Sequence, residues 1–185
     1  TFRNEKYPDY KATHPPIRDE LRSQAEQSQD LVAQMGWPVL SVSGVEADDG
    51  IGSLAVQAEA QGCKVIISTG DKDMAQLVSE HVSLINTMNG EVLDIPGVQT
   101  KFGVRPDQII DYLALMGDKV DNVPGVDKCG PKTAVKWLDA YGSLQGVIEH
   151  AAEIKGKVGE HLQAAIPRLP LSYELVTIKT DLDLH

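Results

Sequence analysis

Two short β-branched runs, each followed directly by a helical pattern, constrain this chain more than any other feature. The first, Pro38-Val39-Leu40-Ser41-Val42, precedes Glu46 to Gln61, where Ile51, Leu54, Ala55 and Ala58 recur at helical spacing before Gly62 ends the turn. The second, Val65-Ile66-Ile67-Ser68, leads into a helix from about Lys72 to Val78. Strand, helix, strand, helix is the pattern of a βαβ unit, so the expectation is α/β with a parallel sheet covered on both faces. Residues 17–35 read as a polar helix closed by Gly36. Val82 to Thr87 and Glu91 to Ile95 flank Asn89-Gly90, which predicts a type I′ hairpin. Beyond residue 96 the strand pattern stops. Pro106 to Met116, Pro131 to Tyr141, Leu144 to Ala152, Val158 to Ile166 and Leu171 to Ile178 all read as helices. The division expected is an α/β part over 1–95 and an all-helical part over 96–185.

Three acidic clusters sit at telling places in that pattern. Glu46-Ala47-Asp48-Asp49 follows the first strand, and Asp71-Lys72-Asp73 follows the second. Loops at the carboxyl ends of neighbouring parallel strands share one edge of the sheet, where such folds bind ligands. Either cluster alone also suits the first turn of a helix, where acids cap free N–H groups and oppose the dipole. Five carboxylates in one crevice are harder to explain by capping, because like charges raise one another's pKa and repel. A divalent cation offsets that cost, and oxygen donors without His or Cys favour Mg²⁺ or Mn²⁺ over zinc. The third cluster, Gly117-Asp118-Lys119-Val120-Asp121-Asn122, closes the helix from Pro106. Asp118 and Asp121 are three apart, so on a helical turn they would face the same way.

After it, Asn122-Val123-Pro124-Gly125-Val126 and Gly130-Pro131-Lys132-Thr133 place two glycine turns before a helix N-terminus, with Lys128, Lys132 and Lys136 nearby. Such a terminus can hold a phosphate without reading bases, although an ordinary Gly/Pro turn fits the residues too. A Walker A loop is excluded, since Pro131 interrupts the spacing and no strand precedes it.

A net charge of −10 argues at first against nucleic acid. Setting aside the seven carboxylates of the three clusters leaves acids and bases nearly balanced, and Arg3, Lys6, Lys11, Arg18 and Arg22 crowd the start with Phe2, Tyr7 and Tyr10. Cys63 and Cys129 lie far apart without metal-ligand spacing, which predicts two free thiols in a reduced cytoplasm. The longest apolar run, Tyr112 to Met116, is too short to cross a bilayer, and no basic-then-apolar leader opens the chain.

Ser-Gly-Val-Glu-Ala-Asp-Asp (43–49), Ser-Thr-Gly-Asp-Lys-Asp-Met-Ala-Gln-Leu (68–77) and Ala-Leu-Met-Gly-Asp-Lys-Val-Asp-Asn-Val-Pro-Gly-Val (114–126) resemble the 5′-nuclease domain of bacterial DNA polymerase I. The opening Thr-Phe-Arg, Tyr-Pro-Asp-Tyr-Lys and Pro-Pro of residues 1–16, and the closing Leu-Ser-Tyr-Glu-Leu-Val-Thr-Ile-Lys-Thr-Asp, extend the likeness over essentially the whole chain. The resemblance implies a flap-endonuclease (PIN-like) fold with two divalent ions, a helical arch over residues 1–35 and a helix-hairpin-helix. It implies metal ligation by Glu46, Asp48, Asp49, Asp71, Asp73, Asp118 and Asp121, with Asp48, Asp71 and Asp73 central to catalysis. Arg3 would contact the scissile phosphate, and Tyr7, Tyr10, Lys11 and Arg18 would lie on the arch. Lys72 and the hairpin residues Gly125, Lys128, Gly130, Lys132 and Thr133 would contact DNA, with a K⁺ ion in the hairpin.

The implied activity is two-metal hydrolysis of phosphodiesters at 5′ flaps, nicks and RNA primers, with a polymerase in the same parent chain and no membrane partner. No protein nucleophile is apparent, and the five histidines are scattered. The family's first aspartate-bearing strands have no counterpart after Thr1, so weak activity is expected. Lys128 stands where relatives often have glycine, and His14 where arginine is common. A non-catalytic DNA-binding module is the alternative. A phosphotransfer-like α/β domain would leave the helical second half unexplained.

Overall fold

The computed structural model describes residues 1–184. Its sheet has three strands in the order β1 (Val65–Ser68), β2 (Val82–Asn86), β3 (Glu91–Leu93). β1 and β2 run parallel with Val65 opposite Val82, and β2 and β3 antiparallel with Leu84 opposite Leu93. The sheet is therefore mixed, as a parallel unit followed by a hairpin requires. Residues 38–42, expected to be a strand, form no ladder among the described residues, and Trp37, Val39 and Leu40 are exposed. β-branched residues favour a pleated surface only where a neighbouring strand supplies hydrogen bonds and packing, and none lies beside them here.

The hairpin between β2 and β3 also differs from expectation. Asn86 pairs with Glu91, leaving a four-residue loop in which Gly90 has φ +76 and donates to the Asn86 carbonyl. A type I′ turn needs positive φ at both central residues, and Asn89 does not adopt it.

Helix α1 (Phe2–Lys6) opens the chain, and α2 (Asp19–Gln34) ends at Gly36, whose φ of +88 suits glycine. No residue of α2 is buried. Helix α3 (Ala47–Ala60) presents Gly52 and Ser53 to the chain end, where a Cβ on Gly52 would sit 2.5 Å from Ile178 Cγ2. The segment Lys72–Leu77 is a 3₁₀ turn capped by Asp71, whose Oδ1 accepts from the Asp73 N–H at 2.9 Å.

Helix α4 (Ile95–Phe102) was not expected, although its signals are local. Asp94 caps it by accepting from the Gly97 N–H at 2.8 Å, Pro96 occupies the first turn, and Gly103 closes it at φ +78. The second half contains α5 (Ile109–Met116), α6 (Pro131–Tyr141), α7 (Leu144–Glu149), α8 (Lys157–Ala165) and α9 (Leu169–Val176). Helix α5 is central, burying Ile109, Leu113 and Leu115 against α6 and α9 with Leu138, Leu162 and Leu169 around them. Removing this apolar surface from water is the main driving force for the arrangement.

Where α5 ends, Gly117 and Gly125 lie back to back. A Cβ on Gly125 would sit 2.3 Å from the Gly117 nitrogen, and one on Gly117 2.6 Å from the Gly125 nitrogen. This contact pins the Asp118–Val123 hairpin, closed by an antiparallel bridge, against the body of the protein.

Candidate metal centre and nucleic-acid interface

The three acidic clusters approach one another at the carboxyl end of β1. Glu46 sits at the N-cap position of α3 without a side-chain capping bond, Asp48 and Asp49 form its first turn, Asp71 and Asp73 flank the start of the 3₁₀ turn, and Asp118 and Asp121 occupy the hairpin after α5. Asp118 and Asp121 do not share a helical face: Asp118 Oδ1 instead accepts from the Val120 and Asp121 N–H groups at 2.8 and 3.3 Å, folding the hairpin around itself.

The carboxylates influence one another electrostatically. Burial, then the neighbouring charges of Asp71, Asp118 and Asp121, push the Asp73 carboxyl up to about 7. Burial and Asp71 likewise hold Asp48 above the usual range. Among the described residues, Asp73 Oδ1 is buried without any hydrogen-bond partner. A buried, unpartnered carboxylate oxygen among like charges costs free energy that a cation would recover.

Among the described residues, however, no three Asp, Glu, His or Cys side chains are arranged to grip a single ion. Basic side chains separate them. Lys72 Nζ reaches Asp118 Oδ2 at 2.7 Å, Lys11 Nζ reaches Glu46 Oε2 at 2.8 Å and lies 4.0 Å from Asp121, and His14 Nε2 lies 3.0 Å from Asp121 Oδ1. Burial works against ionised Glu46 and Asp118, but Lys11 and Arg3 beside Glu46, and Lys72 with the Asp121 and Val120 N–H groups beside Asp118, outweigh it and hold both carboxyls low. The same pairs raise Lys11 and Lys72 against the opposing effect of burial.

Two expected roles meet a different arrangement. Asp49 is 2% exposed, and both its oxygens face Arg3, with Nη1 to Oδ2 at 2.7 Å and Nη2 to Oδ1 at 2.8 Å. Its Oδ1 also accepts from the Lys179 N–H at 2.9 Å, so both oxygens are already engaged within the fork. Arg3 is 3% exposed and is held further by the Leu175 and Thr177 carbonyls, so it does not present a cation to a phosphate.

Tyr10 is buried as well. Its hydroxyl lies 3.4 Å from Glu46, and burial, then Glu46, raises its pKa, so it belongs to the carboxylate surround and not to an open arch surface. Tyr7 is half-buried against the core, while Arg18 is exposed at the start of α2.

In the hairpin region Lys128, at φ +58, and Lys132 are exposed, and Thr133 is half-buried. Gly130 begins α6 with no side chain capping its first N–H groups. Gly125 faces inward, and its carbonyl accepts from Arg168 at 3.2 and 2.9 Å. The neighbouring carbonyls are also engaged, Pro124 by Ser172 Oγ, Val123 by the Asp118 N–H and Val126 by the Cys129 N–H. Sequence reasoning missed Asn122, at φ +57, whose Nδ2 donates to the Asp9 carbonyl at 2.7 Å and ties the start of the chain to the third cluster. Its position beside Asp121 before Pro124 was the available signal.

An acid-lined edge of a small α/β sheet is thus joined to a helical half that carries a glycine-built hairpin. Residues 1–103 match the model of the 5′-3′ exonuclease N-terminal resolvase-like domain, and residues 104–185 that of the 5′-3′ exonuclease C-terminal SAM fold. The chain belongs to the 5′-3′ exonuclease family. It is 50% identical to DNA polymerase I of Pseudomonas aeruginosa, with all of this chain covering 21% of that protein. It is 44% identical to a 5′-3′ exonuclease of Aquifex aeolicus, where all of this chain covers 63% of the relative. Among solved structures, T5 D15 protein co-crystallised with metal ions superposes with a TM-score of 0.82 at 24% identity, over 95% of this chain and 71% of that one. The catalytic core of Rad2 in complex with DNA superposes at 0.62 and 16%, over 100% and 64%. No helix among the described residues is long and apolar enough to cross a membrane.

Proposed function

We propose that this chain is a divalent-metal-dependent nuclease domain that hydrolyses phosphodiesters at 5′ flaps, nicks and RNA primers in DNA, working in the cytoplasm beside a polymerase in the same parent protein. The observation that carries this reading is Asp73, with its unpartnered buried oxygen and its carboxyl raised to about 7 among like charges. An all-oxygen donor set of this kind fits hard ions such as Mg²⁺ or Mn²⁺. Glu46 and Asp48 on one side, and Asp71, Asp73, Asp118 and Asp121 on the other, are the residues proposed to hold two of them. Ions bound there would acidify a water and stabilise the oxygen leaving phosphorus.

The chain's own residues set the rest of the site. Lys11 and Lys72 now neutralise Glu46 and Asp118, and these two cations are the ones proposed to face phosphate when the carboxylates turn to metal. Exposed Lys128 and Lys132, with the uncapped start of α6, would grip duplex phosphates without base selection. The carbonyls of residues 123–126 each already accept a hydrogen bond, so a K⁺ ion held by them would share their second lone pairs.

The test is cleavage of an end-labelled 5′-flap duplex with Mg²⁺ or Mn²⁺ and with EDTA, beside an Asp71→Ala variant. Cleavage near the junction that needs both metal and Asp71 supports the proposal, and metal-independent cleavage contradicts it. The lysine-neutralised carboxylates favour a second reading, a DNA-binding module without catalysis. Tight flap binding with no cleavage in either metal would select it.

A further inference from the structure

Arg3 and Asp49 form the most enclosed ion pair among the described residues, yet neither is turned to the cleft. The guanidinium has five N–H donors, and four hydrogen bonds engage it. Nε donates to the Leu175 carbonyl at 2.9 Å, Nη2 to Asp49 Oδ1 and the Thr177 carbonyl at 2.8 Å each, and Nη1 to Asp49 Oδ2 at 2.7 Å, with Glu46 Oε1 3.4 Å from Nη1. Asp49 takes a further N–H from Lys179 at 2.9 Å. Three separate pieces of chain therefore meet at one fork: α1, the first turn of α3, and the end of α9 with the segment after it.

We infer that Arg3 and Asp49 are a positioning pair for the metal centre: the bidentate fork fixes the first turn of α3, and through it the carboxylates of Glu46 and Asp48. This rests on the nuclease reading above. Glu46 is held from two sides, by Arg3 at 3.4 Å and Lys11 at 2.8 Å, and both basic residues are carried by the α1 end of the chain. Loss of the fork leaves α1 and the first turn of α3 joined through the less buried contacts of Thr1 and Lys11 with Glu46, which loosens their relative placement. Residues that orient ligands in this way typically change metal affinity 10–100-fold when altered.

One test uses the unaltered protein. Phenylglyoxal labelling followed by peptide mapping is expected to leave Arg3 unmodified while exposed Arg18 and Arg105 react, with or without a flap duplex. Rapid labelling of Arg3 that DNA suppresses would overturn the inference. The other test compares Arg3→Gln, Asp49→Asn and the double variant, which restores a neutral hydrogen-bonded pair if a single variant fails to fold. Each is held where circular dichroism reports a folded chain. Free Mn²⁺ is read by electron paramagnetic resonance, and duplex affinity is followed against salt.

The expected result is Mn²⁺ affinity weakened by about ten-fold or more in each single variant, no additional loss in the double, and an unchanged salt slope. Wild-type Mn²⁺ affinity in folded variants would make the pair merely structural and sink the inference. Weakening by Asp49→Asn alone would make Asp49 a ligand. A salt slope reduced by about 0.9 in Arg3→Gln would make Arg3 a phosphate contact. A wild-type chain that binds no Mn²⁺ would sink the nuclease reading instead, and the labelling pattern would still decide whether Arg3 is held in its fork.

Discussion

Replacing Gly125 by alanine places a methyl group 2.3 Å from the Gly117 nitrogen, 2.4 Å from the Met116 carbonyl carbon and 2.5 Å from its oxygen. All three obstacles are backbone, so no side-chain rotation relieves them. The end of α5 and the Asp118–Val123 hairpin must instead separate. Overpacking of a well-filled site costs roughly 1–3 kcal/mol, and an all-backbone clash belongs at the upper end, about 3 kcal/mol. For a chain of this size that corresponds to a fall in melting temperature of about 6–12 °C.

Because the displaced hairpin carries Asp118 and Asp121, divalent-ion stabilisation should shrink in the same variant. The assay is thermal unfolding by circular dichroism with EDTA and with Mn²⁺. Gly50→Ala is the internal control, since a Cβ there meets nothing within 4 Å and Gly50 lies inside α3. It should gain up to about 1 kcal/mol from helix propensity. A Gly125→Ala protein that melts within about 2 °C of wild type, against the shift expected for about 3 kcal/mol, would refute the back-to-back contact as the reason glycine is needed.

In metal-free protein, Asp73 resists ionisation, so stability should fall as pH rises from the ordinary carboxylate range through about 7. The sign follows because the folded state holds the proton at a higher pH than the unfolded state. Asp73→Asn should flatten that slope in urea unfolding and remove the stabilisation given by Mn²⁺, and an unchanged slope would contradict the burial of its charge. Cys63 is exposed, whereas burial pushes the Cys129 thiol up to about 11. Iodoacetamide at pH 8 should therefore alkylate Cys63 alone until denaturant is added, as mass spectrometry would read. Asp94→Ala removes the cap that accepts the Gly97 N–H and should cost about 1 kcal/mol in chemical denaturation without altering flap cleavage.

The fold was legible where the information is local. Gly36 and Gly62 stop helices where their positive φ is needed, and Asp71 begins the turn after β1 as an acidic cap. Helix α4 was equally legible from Asp94, Pro96 and Gly103, but the β-branched residues before it drew the strand reading forward to Ile95. What failed was non-local. Residues 38–42 have strand composition but no pairing partner among the described residues, and Asn89-Gly90 adopts a longer loop because β2 pairs through Asn86.

At the site, the sequence assembles the acids but not their counterions. Lys72 reaches Asp118 from 46 residues away and Lys11 reaches Glu46 from 35. Arg3 and Asp49 are also 46 apart, so only packing reveals that each satisfies the other.

The most direct measurement of the metal-centre proposal is anomalous diffraction from crystals of this chain soaked in Mn²⁺. An anomalous peak at coordination distance from Asp73 Oδ1, shared with Asp71 or Asp118 and accompanied by release of Lys72 from Asp118, is the predicted result. Saturating Mn²⁺ with no peak at Asp73, and Lys72 still seated on Asp118, would contradict the account.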